Sequence, residues 1–343
     1  MATHDAGGSV RRAIESIQNQ TFRDFELIVV DAGSTDSTIR LLDSLAERDL
    51  RIQVVHADAC SRQEALDLAL GRACGRYLAV VDADGCARPG MLAELVGVAE
   101  ARSLELAIGG MDLLLSSSSG RVDELELSAE AVVFLTQHDF RASAWRLFAT
   151  GGLLPASAKL FRLDRVRELG LSFVSSGSFD HLFVLDYLSD VERVGVLDGV
   201  CYRVERRIAP IERRFARPEG YRLMEEEHAA LTSLYRHWGL EGDAASMEML
   251  QSRYLERLVA CVEGVCGSAS GISSAEQRKT VSSMIAAPQA QLAASVAHPE
   301  SNAARSMLAP IKGRNVTLVC AQARLLSRFR RGHAVWAMPD AFV

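Results

Sequence analysis

The sequence predicts an α/β fold: a mostly parallel sheet flanked by helices over residues 1–205, followed by a helical C-terminal region over residues 206–343. Three observations carry this expectation. Residues 9–115 alternate between helical and strand periodicity, the pattern of repeated βαβ units. The apolar runs 25–30 and 77–81 are too continuous for half-exposed strands, and each ends on an aspartate, as strands buried on both faces do. Beyond Arg206 helix-forming residues with apolar spacing take over.

In chain order, Ser9 is placed to cap a helix whose apolar face is Val10, Ala13, Ile14 and Ile17. The run 25–30 then leads through Asp31 into the loop Ala32-Gly33-Ser34-Thr35-Asp36, and Ile39, Leu42, Leu45 and Ala46 continue as an amphipathic helix. A second strand is expected over 51–57 and a helix over 61–73 with Gly75 as its C′ residue. The strand 77–81 runs into Asp82-Ala83-Asp84-Gly85, a helix follows Pro89 to about Glu100, and a further strand spans 104–115 before a serine loop at 116–119. Helices are expected at 225–235, 247–262 and 274–286, with small-residue connectors at 264–273 and 288–299.

Composition bounds the function. Hydrophobic residues at 48% and charged residues at 24% place the chain among globular proteins, and a net charge of −6 argues against nucleic acid as the main partner. The seven cysteines are scattered without a CxxC pair, which signals neither a disulfide framework nor a zinc site and fits a reducing cytoplasm. No run approaches the roughly 20 apolar residues that span a bilayer.

Both strand-end carboxylate clusters lie where open parallel sheets bind ligands. The segments Ser16-Ile17-Gln18-Asn19-Gln20-Thr21-Phe22 and Val29-Val30-Asp31-Ala32-Gly33-Ser34-Thr35-Asp36 resemble the opening of the family 2 glycosyltransferases, a helix ending in NQT before VVD-(D/G)-GSTD. Glu64-Ala65-Leu66-Asp67 is similar to that family's DAMN-type helix, and Ala73-Cys74-Gly75-Arg76-Tyr77-Leu78 to its entrance into the DXD strand. Ala158-Lys159-Leu160-Phe161-Arg162 resembles NKLFR, and Phe179-Asp180-His181-Leu182-Phe183 stands where the family has ED-x-x-F. The resemblance covers roughly residues 3–205 and implies a GT-A-like, Rossmann-type sheet of the inverting, bacterial cell-surface polysaccharide kind.

What the resemblance implies is a transfer of sugar from a nucleotide diphosphate donor, UDP-linked, to a hydroxyl of a glycan or lipid-linked acceptor. A hard cation, Mg2+ or Mn2+, would offset the diphosphate through carboxylates. Asp84 is expected on the metal and Asp82 on the ribose or metal; Asp31 on the nucleobase; Thr3, Asp5, Ser34 and Asp67 on the donor; Asp180 as the base for the acceptor hydroxyl. Bland roles stand beside these: helix capping for Asp31 and Asp36, a solvated turn for Asp180 after 175–178, a structural role for His181.

The departures are specific. Phe179 replaces the family's glutamate, Leu66 and Asp67 stand for a frequent arginine and asparagine, and Leu154-Pro155-Ala156-Ser157 lacks the usual tryptophan and asparagine. The family's opening strand is expected to be absent or degenerate, since the chain starts at the turn Thr3-His4-Asp5, and a short strand rich in Val and Ile is expected to be encoded upstream in frame. A nucleotide-sugar-binding module that has lost transfer would fit these departures equally. At the other end, residues 301–339 hold seven Lys or Arg and no acidic residue. Leu318, Val319, Leu325, Leu326 and Phe329 share one helical face there, with Arg324, Arg328 and Arg331 on another. Residues 312–331 could rest peripherally on the cytoplasmic face of an anionic membrane, or pack on a core with a solvated basic side.

Overall fold

The computed structural model describes residues 1–116, 122–177, 179–207, 218–267 and 270–329. Three features expected from the sequence fall outside these: Ser117 to Ser119 of the serine loop, Ser178, and Arg331 of the tail. The chain divides into two compact units. One is built from Met1–Leu114 and Glu124–Arg206, the other from Leu115–Asp123 and the described part of Arg207–Ala341.

The first unit opens with β1 (Ala2–Thr3), α1 (Val10–Gln18), β2 (Leu27–Ala32), α2 (Thr38–Ala46) and β3 (Ile52–Ala57). The strand expected to be absent or degenerate is present as a two-residue strand: β1 pairs in parallel with β2, Ala2 opposite Val30 and Thr3 opposite Asp31. β2 pairs in parallel with β3, setting Asp31 opposite His56. All six β2 side chains are buried, as its unbroken apolar run requires, and α1 buries Val10, Ala13, Ile14 and Ile17. Ser9 makes no side-chain cap; the N–H groups of Ser9 and Val10 instead donate to the Ala6 carbonyl, 2.9 Å each.

Next come α3 (Arg62–Leu70), β4 (Tyr77–Leu78), β5 (Gly85–Ala87), α4 (Met91–Ala101) and β6 (Leu106–Ser116). Ser61 and Glu64 close a capping box on α3, which fixes Arg62 as its first residue. The helix stops at Leu70, earlier than expected, and Gly75 lies in the following turn, its N–H spent on Glu26 Oε1 at 2.9 Å. The strand expected over 77–81 is regular only at β4, after which Val80 bridges Ser157.

The unit is completed by β7 (Val122–Leu127), β8 (Val132–Phe134), α5 (Gln137–Ala149), β9 (Lys159–Arg162), α6 (Leu163–Glu168), α7 (Phe173–Ser176), α8 (Asp180–Leu188) and β10 (Val194–Arg207). A second sheet follows the order β4-β9-β6-β10-β5. β9 runs antiparallel to β4 and β6, and β10 antiparallel to β5 and β8.

The second unit is helical: α9 (Pro218–His237), α10 (Ala244–Cys266), α11 (Ser274–Ala286), α12 (Pro288–Val296), α13 (Asn302–Lys312) and α14 (Val316–Phe329). α10 packs against all five others, and the consecutive residues Val259, Ala260, Cys261 and Val262 are buried around its circumference, as a central helix needs. The stretch 288–299 forms α12 where a connector was expected: Pro288 occupies the first turn, where a missing N–H costs nothing, and Ala290, Ala293 and Ala294 pack inward.

Candidate active site

The site begins at the end of β2. Asp31 is almost fully buried, and its carboxylate accepts from the Ser34 N–H at 3.3 Å and from the Ser34 hydroxyl; His56 Nδ1 stands 3.8 Å away. Ser34 Oγ in turn accepts from the Asp5 N–H at 2.9 Å. Asp5 returns the bond, its Oδ1 accepting from the N–H groups of Thr35 and Asp36 at 2.7 and 3.2 Å, and these bonds hold its carboxyl below the ordinary range. Asp36 caps α2 through the Thr38 N–H at 2.8 Å and accepts from the Gly7 N–H at 3.1 Å. The turn also depends on Gly33, whose φ of 77° and close approach to the Ala59 backbone exclude a side chain. Residues 5–7 and 33–38 thus form one laced wall.

The second cluster lies where β4 gives way to β5. The buried Asp82 donates its N–H to the Tyr202 hydroxyl oxygen at 2.8 Å, accepts from Arg62 Nη2 at 2.7 Å on Oδ1, and accepts from Ser157 Oγ on Oδ2. Gly85 has to be glycine because a Cβ there would strike the Tyr202 hydroxyl. Asp84 takes a two-pronged bond from Arg206, Nε at 2.9 Å and Nη2 at 3.3 Å.

Arg62 joins this cluster to α8. While Nη2 holds Asp82, Nε donates to Asp180 Oδ2 at 2.7 Å. Asp180 Oδ1 is buried and has no hydrogen-bond partner among the described residues. Burial pushes the Asp180 carboxyl up against the opposing pull of Arg62, whereas for Asp82 the charges of Arg62 and Arg206 outweigh burial and bring it down. Arg62 pulls on both carboxylates; the added charge of Arg206 and the Ser157 hydroxyl make Asp82 the more acidic member and leave Asp180 the more basic one.

Thr3, Asp5, Cys60, Arg62, Asp84 and Arg206 line a cleft of about 340 Å³, a size suited to a small-molecule ligand. Thr3 Oγ1 is buried and unpartnered among the described residues. Ala32 lines the cleft between Asp31 and Ser34, and Asp82 and Asp180 sit behind Arg62. Asp67, expected on the donor, is placed elsewhere. Its carboxylate accepts from the Phe173 and Val174 N–H groups at 2.7 and 3.0 Å, capping α7 in a groove with Asp58 and Glu64, so its oxygens are spent on backbone. His181 is buried and stacks on Phe179, 4.8 Å between ring centroids.

Arg62, Ser157 and Arg206 were not singled out as site residues from the sequence. The one signal that could have found Arg62 is a basic residue directly after a capping serine, at the mouth of a strand-end cleft.

Residues 1–119 match the model of glycosyl transferase family 2. The chain is 25% identical over 235 residues to the uncharacterized glycosyltransferase EpsJ of Bacillus subtilis, covering 68% of this chain and 67% of EpsJ. It is 27% identical over 154 residues to the succinoglycan biosynthesis protein ExoO of Rhizobium meliloti, covering 41% of this chain and 44% of ExoO. Among solved structures, S. aureus TarS 1-349 in complex with UDP-GlcNAc superposes with a TM-score of 0.61 at 16% identity, covering 96% of this chain and 90% of that one. The motif order, the strand-end carboxylates and the GT-A-like fold agree with these matches, which make residues 1–119 similar to the family 2 glycosyltransferases.

Proposed function

We propose that this chain transfers a sugar from a nucleotide diphosphate donor, UDP-linked, to a hydroxyl of a glycan or lipid-linked acceptor, with inversion and with a divalent cation. We assign the transfer to residues 1–205 and regard residues 206–343 as an accessory helical region. The observation that carries this reading is the chain Asp82–Arg62–Asp180, which fixes one oxygen of Asp180 and leaves the other buried and unpartnered among the described residues. The family 2 match over residues 1–119, and the fold shared with a protein solved with UDP-GlcNAc, support the donor class.

The chemistry divides among the residues. Asp180, its carboxyl raised by burial and its orientation set by Arg62, accepts the acceptor's hydroxyl proton through Oδ1 as the oxygen attacks the anomeric carbon. Asp31, with Ser34 on its carboxylate, meets the imide N–H of a uracil edge, and Thr3 and Asp5 line the donor's approach.

Among the described residues no group of three His, Cys, Asp or Glu stands ready for a metal. Arg62, Ser157 and Arg206 already engage the oxygens of Asp82 and Asp84, so a Mg2+ or Mn2+ ion would be held by the lone pairs these bonds leave, with substrate phosphates and water completing the shell. A cation held there would supply positive charge to offset that of the departing diphosphate.

The test is a transfer and hydrolysis assay with UDP-sugars, run beside donor-binding calorimetry. Asp180→Asn is expected to bind donor as wild type does and to lose transfer by roughly 10²–10⁴. Equal turnover in the variant removes Asp180 from the mechanism, and donor binding without turnover in wild type makes the chain a nucleotide-sugar-binding module.

A further inference from the structure

We propose that Lys159 is a positioning residue of the donor site: its side chain gathers carbonyls of the largely buried loop 151–157 and thereby holds Ser157 on Asp82. The proposal rests on reading the cleft as a donor site. Its starting point is a loop in an unusual place. Leu153, Leu154, Ala156, Ser157 and Ala158 are all nearly inaccessible, yet the loop has almost no regular secondary structure. Irregular backbone is ordinarily kept at the surface, because buried carbonyls without partners are costly.

Lys159 supplies partners. It is 1% exposed, and Nζ donates to Gly152 O at 2.8 Å and to Pro155 O, so the first residue of β9 reaches back and closes the loop that leads into it. Burial pushes its ammonium down to about 7, which marks the position as one where charge is held at a cost. A purely apolar side chain would fill the space without that cost and would leave both carbonyls unpartnered.

The loop so closed ends on the site. Ser157 bridges Val80 of the DXD approach and donates its hydroxyl to Asp82 Oδ2, the oxygen that Arg62 does not hold. The next residue, Ala158, is kept at a φ of 56°, and its carbonyl accepts from the Gly109 N–H at 2.8 Å. The backbone on the far side of Ser157 is therefore pinned by β6, and the near side by Lys159. Release of the near side frees Ser157 to leave Asp82.

The experiment is a double-mutant cycle of Lys159→Met and Ser157→Ala in the full chain, read by donor KM and kcat and by hydrogen–deuterium exchange over 150–158. Lys159→Met is expected to raise the donor KM about tenfold or more with kcat changed far less, and to speed exchange in the loop. Ser157→Ala is expected to raise KM in the same sense, and the double variant to be no worse than Lys159→Met, since both act through one contact. Additive effects on KM, or loop exchange unchanged in Lys159→Met, overturn the proposal. If Lys159→Met does not fold, Lys159→Gln, which retains an N–H pair for the two carbonyls, takes its place with the opposite expectation: donor KM and loop exchange stay near their wild-type values, and a raised KM with loop exchange unchanged overturns the proposal. Should wild type bind no UDP-sugar, the donor reading fails with it, and with it any role of Lys159 in that reading. The exchange measurement then decides separately whether Lys159 holds the loop.

Discussion

Arg62 balances two buried carboxylates that are far apart in the chain, and the charge arithmetic of the site turns on it. Burial opposes its charge, yet Asp82 and Asp180 together raise its pKa above the ordinary arginine value. Removing one partner of a buried ion pair typically costs about 3–5 kcal/mol, because the charge left behind has no counter-ion. Arg62→Leu should therefore destabilise the protein strongly at pH 7. The sign with pH follows: without Arg62 both carboxyls rise above their unfolded values, the native state holds protons the unfolded chain has lost, and stability falls as pH rises. The deficit in Tm relative to wild type should shrink on going from pH 7 to pH 4.5. A deficit independent of pH would mean that Arg62 acts by packing alone.

His228 provides a second pH window, inside the helical unit. Burial, chiefly, lowers its pKa to about 4 from the ordinary 6.5, with Glu225 and Glu227 pulling against Arg253 and Arg257; Gln289 Nε2 lies 2.6 Å from its Nε2. The unfolded chain takes up the proton first, so this contribution is complete above pH 6.5 and is lost as pH falls through about 4, by up to about 3 kcal/mol. His228→Gln should flatten that part of the stability profile in urea titrations, and an unchanged slope between pH 6.5 and 4 would refute the assignment. Which residues were legible follows from the same physics. Asp31, Asp82 and Asp84 could be read because a carboxylate ending an apolar run is a local signal. Arg62, Arg206 and Ser157 could not, because an ion pair closed by the fold leaves no spacing in the sequence.

At the scale of elements, the helices with a clear apolar stripe were readable and the exceptions have causes. α1, α4 and α10 lie where their periodicity set them, whereas α12 was hidden behind a proline that marks a helix start as readily as a break. α14 is the instructive case. Its stripe was open to two readings, and the structure turns Val319, Cys320 and Ala323 into the helical core, leaving Leu318 and Leu325 exposed while Arg324 donates to Gln277 Oε1 at 2.8 Å. No described helix is long and apolar enough to cross a membrane. Val319→Asp should lower Tm steeply, as an unpaired charge forced into a core does, while Leu318→Asp should stay within about 0.5 kcal/mol of wild type. Any vesicle binding would then have to respond to Leu318 and Leu325; the reverse pattern in thermal melts would place the stripe outward.

At the scale of the whole molecule, the parallel strands of β1 to β3 bring the Asp31 loop and residues 3–7 together, and β4 to β5 carries the DXD turn to the same cleft. The family motifs announce that arrangement, but the loop 150–158 and the antiparallel pairings of β9 and β10 needed the tertiary structure, since sheet order is set by partners distant in sequence. The central claim is that this cleft binds a nucleotide diphosphate sugar with a cation held at Asp84. Titration calorimetry of the full chain with UDP-sugar, with and without Mn2+, comparing wild type with Asp84→Ala, tests it most directly. The expected result is cation-dependent binding in wild type and its loss in Asp84→Ala with the fold intact by circular dichroism. Equal affinity in the two proteins, or no binding by wild type at any cation concentration, would contradict it.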